Sequence, residues 1–190
     1  MSGTHSPHRR TPGEPGIWVL IFGDLLVFSL FFTTFAYYRL ADPRSFRLAQ
    51  EQLNQGFGLL NTLLLLISSW AVAKAIGLAR AGQGARARTL VTLAILLGAG
   101  FAVVKIFEYS EKLSAGIGPT TNDFFMLYFT FTGIHLLHVL AGLGALAFLR
   151  SRVIRPPHPA TVAAMEACGI FWHLVDILWV VLFAILYLHR

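Results

Sequence analysis

The amino-acid sequence predicts an all-α membrane protein, a bundle of five transmembrane helices. Hydrophobic residues make up 56% of the 190 residues and charged residues only 13%, whereas about a quarter of the residues in a soluble domain are charged. The apolar residues are grouped in five long blocks, each close to the roughly 20 residues that a helix needs to cross the hydrocarbon core. The blocks do not alternate between polar and apolar residues as the strands of a barrel do, so helices are predicted for all five.

The five spans form one predicted domain, residues 16–190. They are Ile17–Tyr38, Phe57–Ala79, Thr89–Phe107, Phe124–Leu149 and Ala167–Leu188. The polar segment 1–15 is predicted to be a flexible tail. Its Arg9-Arg10 pair also occurs in twin-arginine signals, but the first span is too long for a signal core and no small-residue cleavage site follows it. The first span is therefore predicted to be retained as a helix.

Small and aromatic residues suggest how the spans pack. Small residues recur every four positions in the second and third spans, a pattern typical of closely packed membrane helices; they are Ala71, Ala75 and Ala79, then Ala94, Gly98 and Ala102. Tyr128 and Tyr187 fall near the ends of the last two spans, where aromatic residues form an interfacial belt. We therefore expect tight packing inside the bundle and tyrosines at its membrane boundaries.

Basic residues flank the spans unevenly. The larger group lies on the side of the N-terminal tail and comprises Arg9, Arg10, Lys74, Arg80, Arg86, Arg88, Arg150, Arg152 and Arg155. The smaller group lies on the opposite side and comprises Arg39, Arg44, Arg47, Lys105, Lys112 and Arg190. Because Lys and Arg favour the cytoplasm, the N-terminus is predicted to be cytoplasmic and the C-terminus periplasmic. The net charge of +6 indicates no nucleic-acid partner, since these charges flank helices and form no aromatic-rich patch.

Polar side chains inside the spans are the candidate site residues. They are Asp24 in the first span, His135 and His138 in the fourth, and Glu166, His173 and Asp176 in the fifth. An ionised carboxylate near the bilayer centre costs about 2.5–3.5 kcal/mol on insertion scales, so we expect these groups to face other helices and to bond to one another. At the outer end of the third span, Lys105 and Lys112 flank Glu108 at helical spacing, and both are expected to pair with it.

Three interpretations of these polar residues remain open. The first is a hydrogen-bonded network that fixes the bundle, and the second is a role in proton uptake. The third is a metal or haem site in a small membrane redox protein, using His135, His138 and His173, because imidazole ligates transition metals and haem iron. The sequence contains no haem-attachment motif, thiolate cluster or nucleotide-binding loop, so no cofactor is predicted.

Several segments, in order along the chain, resemble subunit III of the haem-copper oxidases. Trp172-His173-Leu-Val-Asp176, preceded by a glutamate and followed by a tryptophan, resembles that family's Glu…Trp-His-x-Val-Asp-x-x-Trp signature. The segment Thr-Gly-Ile-His135-Leu-Leu-His138-Val resembles its Thr-Gly-x-His-x-x-His-Val segment. Glu108 and the following tyrosine resemble its glutamate-tyrosine helix end. Asp24 lies in a segment similar to the one that carries the family's intramembrane carboxylate, which is usually a glutamate.

The resemblance implies a non-catalytic subunit without haem or copper. Subunit III of that family packs on the catalytic subunit I, encloses structural lipids and supports sustained proton uptake. Its longer members have seven helices; this chain lacks the first two, and that even number preserves the predicted orientation. Its brevity and the segment from Asn61 to Trp70 resemble a five-helix accessory membrane protein of nitric oxide reductase. The expected partners are therefore subunit I or the nitric oxide reductase large subunit, with phospholipid, in a bacterial inner membrane.

Overall fold

The structure of the chain is a computed structural model that describes residues 15–153 and 159–188. Its helices are α1 (Pro15–Ala41), α2 (Pro43–Glu51), α3 (Gln55–Arg80), α4 (Gly84–Ser114), α5 (Asp123–Arg152) and α6 (Pro159–Phe183), and α6 continues as a π-helical turn over Ala184–Leu188. The predicted tail lies outside the described residues except for its last residue, Pro15, at which α1 begins. Arg155 and Arg190, which contributed to the predicted orientation, also lie outside them.

Five of these helices are long and apolar enough to cross a membrane. They cover Trp18–Ala41, Gln55–Arg80, Gly84–Ser114, Asp123–Arg152 and Val162–Leu188. The all-α class and the five spans predicted from the sequence are therefore confirmed. Each helix extends a few residues beyond the predicted apolar block, because polar and charged residues continue the helix into the interfacial region.

The helix α2 was not predicted. It follows α1 after the single residue Asp42, whose carboxylate accepts a hydrogen bond from the Ser45 amide at 3.1 Å and caps the new helix. Pro43 occupies the first turn, where its missing N–H costs nothing. Phe46 on the inner face packs against Phe35 of α1 and Phe124 of α5, with ring centroids 5.5 and 5.6 Å apart. The helix is therefore held against the outer ends of two spans.

The core of the bundle is aromatic and is built around Trp172 of α6. A Cβ atom at Gly98 of α4 would lie 2.8 Å from the Trp172 ring, and one at Gly142 of α5 would lie 2.6 Å from it. Only glycine at these two positions lets the neighbouring helices approach the indole so closely. The Trp172 ring nitrogen donates a hydrogen bond to Ser68 Oγ of α3 at 3.1 Å, so its one polar atom is also satisfied.

Two glutamine side chains, Gln50 of α2 and Gln55 of α3, cover the end of α6. Gln50 donates hydrogen bonds to the carbonyl oxygens of Ile185 and Leu186 at 2.9 and 3.3 Å. Gln55 donates to the Tyr187 carbonyl at 2.7 Å. The last carbonyl groups of a helix have no partner within the helix. These amides supply the missing donors and tie the end of α6 to the connection between α2 and α3.

Candidate functional site

The candidate residues form separate clusters in the bundle. The sequence led us to expect one network of intramembrane acids and imidazoles. The structure instead joins Asp24 to His138, His173 to Ser69 and Glu166 to Arg80, and places His135 among aromatic rings. Each of these clusters connects at least two helices.

Asp24 and His138 join α1 to α5. The His138 Nε2 atom lies 3.4 Å from Asp24 Oδ1, and its Nδ1 atom donates to the Ile134 carbonyl oxygen at 2.8 Å. Because a carbonyl only accepts, Nδ1 carries a proton and Nε2 is the variable nitrogen. His138 Nε2 therefore faces the Asp24 carboxyl group across the boundary between α1 and α5. Both side chains are partly exposed, at 24% for His138 and 20% for Asp24.

His173 joins α6 to α3 through a serine that sequence analysis did not single out. The Ser69 hydroxyl lies 2.5 Å from His173 Nδ1. Asp176, three residues after His173, is buried, and its Oδ1 atom has no hydrogen-bond partner in the described part of the chain. The neighbouring Ser68 hydroxyl donates to the Ala94 carbonyl of α4 at 2.9 Å. The sequence does contain a hint of this contact. Ser68-Ser69 in the second predicted span and Trp172-His173 in the fifth are adjacent polar pairs that could bond to each other.

Lys105 and Glu108 form a fully buried ion pair at the outer end of α4. Lys105 Nζ donates to Glu108 Oε2 at 2.8 Å, to Tyr187 Oη at 2.9 Å and to Tyr128 Oη at 3.1 Å. Tyr187 in turn donates to the second Glu108 oxygen at 2.6 Å. All three ammonium protons therefore have acceptors. Tyr128 and Tyr187 were expected in an interfacial belt. Both are instead buried, with their hydroxyl groups in this cluster.

Lys112 lies apart from that cluster. It donates to the Gln52 carbonyl oxygen at 2.6 Å and lies 3.5 Å from the Glu111 carboxylate. The expected pairing of Lys112 with Glu108 is absent because Lys105 and Tyr187 already occupy both Glu108 oxygens. Lys112 instead ties the end of α4 to the connection between α2 and α3.

Glu166 and Arg80 form an ion pair at the opposite end of the bundle. Arg80 Nη2 donates to Glu166 Oε1 at 2.6 Å, and the Arg80 side chain is mostly exposed. This pair connects the last turn of α3 to the first half of α6. Glu166 therefore lies apart from His173 and Asp176, although all three belong to one helix.

The whole chain matches a known protein family. The family model described as cytochrome c oxidase subunit III matches residues 1–190. The chain belongs to the cytochrome c oxidase subunit III family. Its relatives include cytochrome bo(3) ubiquinol oxidase subunit 3 of Pseudomonas aeruginosa, which is 29% identical over 91% of this chain and 83% of that protein. Quinol oxidase subunit 3 of Bacillus subtilis is 30% identical over 91% of this chain and 85% of its own length.

One relative carries two subunits in a single chain. The haem-copper oxidase subunit I+III of Aeropyrum pernix is 29% identical to this protein over 97% of this chain, a stretch that makes up 23% of the longer protein. The resemblance to subunit III of the haem-copper oxidases is confirmed by these matches. This chain is therefore a subunit III-type, non-catalytic membrane component, and its five spans and bacterial relatives place it in a bacterial inner membrane as a multi-pass protein.

The histidines of this subunit III-type chain do not converge. His135 is fully buried between the rings of Phe101 and Trp179, 5.6 and 5.4 Å away, and neither ring nitrogen has a partner among the described residues. His138 faces Asp24, and His173 faces Ser69. Within residues 15–153 and 159–188, no three His, Cys, Asp or Glu side chains are grouped as metal ligands. The family match and the relatives named as oxidase subunit 3 do not favour the alternative of a small redox protein.

Proposed function

We propose that this chain packs on a catalytic haem-copper subunit, stabilises it and supports its turnover, with no redox centre of its own. The match to the subunit III family over the whole chain carries the proposal. The relative named as a fused subunit I+III supports it, because two proteins that occur as one polypeptide elsewhere have a physical reason to associate. Two of the relatives named above are subunits of quinol or ubiquinol oxidases and the third is a haem-copper oxidase chain, which favours oxygen over nitric oxide as the electron acceptor.

The Asp24–His138 pair is the part of the site that fits proton support. An acid and an imidazole, two groups able to bind and release protons, face each other there and remain partly exposed at the surface between α1 and α5. Groups exposed at the bundle surface can exchange protons with a partner subunit packed against them, whereas the Lys105–Glu108 pair is sealed inside the bundle. We therefore assign proton support to Asp24 and His138, and a structural role to Lys105 and Glu108.

A strain without this chain provides the test. The catalytic complex is purified from cells that lack the chain, from cells with the wild type and from cells with Asp24→Asn, and haem content and turnover are measured over many cycles. We expect loss of the chain to lower the yield or the sustained turnover, and Asp24→Asn to slow turnover at unchanged haem content. Identical yield and turnover in all three preparations would contradict the proposal. Loss of nitric oxide reduction in place of oxygen reduction would assign the chain to the nitric oxide reductase large subunit.

The proposal also includes the orientation of the chain in the membrane and a phospholipid partner. We place the N-terminus in the cytoplasm and the C-terminus in the periplasm, because basic residues are more numerous at the helix ends that lie on the same side as the N-terminus. At that end, a groove of about 470 Å³ is lined by Arg88, Thr89, Thr92, Leu93, Leu96 and Arg150. Its guanidinium and hydroxyl groups fit a lipid phosphate, and its leucines fit an acyl chain. Labelling of a cysteine placed in the tail, in intact and in permeabilised cells, tests the orientation.

A further inference from the structure

A cluster of arginines at the outer corner of the molecule has no anionic partner. The cluster, here called the arginine corner, consists of Arg39 at the end of α1 and Arg44 and Arg47 on α2. No carboxylate of the described residues forms an ion pair with any of the three. The Arg39 Nη1 atom is buried and has no acceptor in the described part of the chain. The described residues therefore leave the positive charge of the corner without an ion-pair partner.

Asp42, the acid between Arg39 and Arg44, is already engaged. Asp42 accepts the hydrogen bond from the Ser45 amide that caps α2. Hydrogen bonds from Ser45 hold the pKa of the Asp42 carboxyl below its usual 3.8, so this group is ionised at neutral pH and committed to the cap. Its carboxylate makes no ion pair with Arg44 or Arg47. An acceptor for these guanidinium groups must come from outside the described residues.

The shape of the corner combines charge with apolar surface. Arg44 and Arg47 are three residues apart, on the same side of α2, and line a groove of about 450 Å³ together with Pro43 and Leu48. Leu48 is 56% exposed and Leu40, at the end of α1, is 81% exposed. Because Phe46 fixes α2 against the ends of two membrane spans, this groove lies at the level where lipid headgroups meet acyl chains.

We propose that the arginine corner binds the headgroup phosphate of an anionic phospholipid in the leaflet on the α2 side of the membrane. The planar guanidinium groups of Arg44 and Arg47 donate paired hydrogen bonds to the phosphate oxygens. Leu48 and Leu40 contact the glycerol and acyl portions. A lipid fits better than an acidic protein segment, since the arginines stand beside exposed leucines at the membrane boundary. This site lies at the opposite end of the bundle from the groove of Arg88 and Arg150, and it does not depend on the identity of the catalytic subunit.

Native mass spectrometry of the full-length chain in detergent tests the site. Phosphatidylglycerol and phosphatidylcholine with identical acyl chains are added to the wild type, to R44Q/R47Q and to R86Q/R152Q. The last variant removes two positive charges from the inner end and is the matched control. We expect the wild type to retain phosphatidylglycerol several-fold better than phosphatidylcholine. R44Q/R47Q should lose one tightly retained phosphatidylglycerol that R86Q/R152Q keeps.

Three outcomes would overturn the proposal. Equal phosphatidylglycerol retention by wild type and R44Q/R47Q would show that the arginine corner does not select the headgroup. Full displacement of the lipid by millimolar inorganic phosphate would indicate a site for a free anion. Equal lipid retention together with loss of the catalytic subunit from R44Q/R47Q would assign the corner to a protein partner.

A second measurement needs no variant and covers the case in which R44Q/R47Q does not fold. Phosphatidylglycerol with a photoactivatable acyl chain is added to the wild-type chain, and the labelled peptides are identified. We expect labelling within residues 40–48, next to the groove. Labelling confined to other segments would overturn the proposal.

Discussion

At the scale of single residues, local spacing predicted some contacts of the site and missed those made between distant segments. The pairing of Lys105 with Glu108 follows from their spacing of three on one helix. The two tyrosines that complete the cluster come from α5 and from the end of α6, and no local rule brings them there. Residues three apart on a helix also differ in direction by about 60°. This difference is enough for His135 to contact Phe101 and Trp179 while His138 contacts Asp24, so the two histidines do not join one network.

Loss of one partner of the buried ion pair should be strongly destabilising. In Lys105→Met the Glu108 carboxylate would remain buried without its cation, and breaking a buried pair in this way costs about 3–5 kcal/mol. Lys105→Met/Glu108→Met removes both charges and should recover much of that loss. Thermal unfolding in detergent measures both variants. Arg80→Gln, which breaks an exposed pair, should cost less than about 1 kcal/mol, and an equal effect of the two single variants would contradict the assigned burial.

His173→Leu should lower the stability of the bundle. It leaves the Ser69 hydroxyl without its partner across α3 and α6, and an unsatisfied buried polar group costs about 1–3 kcal/mol. The melting temperature of the purified chain in detergent measures the effect. An unchanged melting temperature combined with slower turnover of the catalytic complex would point to proton transfer through His173 in place of a structural role.

At the scale of the helices, long apolar blocks predicted all five spans, while short or irregular elements were missed. The helix α2 is polar and has only nine residues, so it gives no hydropathy signal; its capping aspartate followed by proline was the local indication. The π-helical end of α6 accepts hydrogen bonds from Gln50 and Gln55, which are distant in the chain, so local sequence patterns do not reveal these contacts. The small residues of α3 and α4 did predict close packing, and the described structure buries all six of them.

Packing around Trp172 gives a prediction at this scale. Gly142→Ala places a methyl group 2.6 Å from the indole ring in the present arrangement, and such overpacking costs about 1–3 kcal/mol. Gly144→Ala is the matched control on the same helix, because its added Cβ meets nothing within 4 Å and alanine favours helix formation. Thermal unfolding should show a lower melting temperature for Gly142→Ala only. Equal melting temperatures would contradict the close approach of α5 to Trp172.

At the scale of the whole molecule, composition and the order of motifs predicted the membrane bundle and its family. The division into a tail and one domain stays a prediction, as does the orientation of the termini. The site divides into a sealed ion pair, an exposed ion pair at the opposite end of the bundle and an acid–imidazole pair near the surface between α1 and α5. This arrangement fits a subunit that stabilises a catalytic partner and exchanges protons at its surface, without binding a redox cofactor.

Purification of the tagged chain in a mild detergent, followed by an absorption spectrum and identification of the bound proteins, tests this account most directly. The account predicts that a haem-copper catalytic subunit co-purifies and that all haem absorption is lost when the chain is separated from it. A stoichiometric haem spectrum, or equimolar metal, retained by the isolated chain would contradict it.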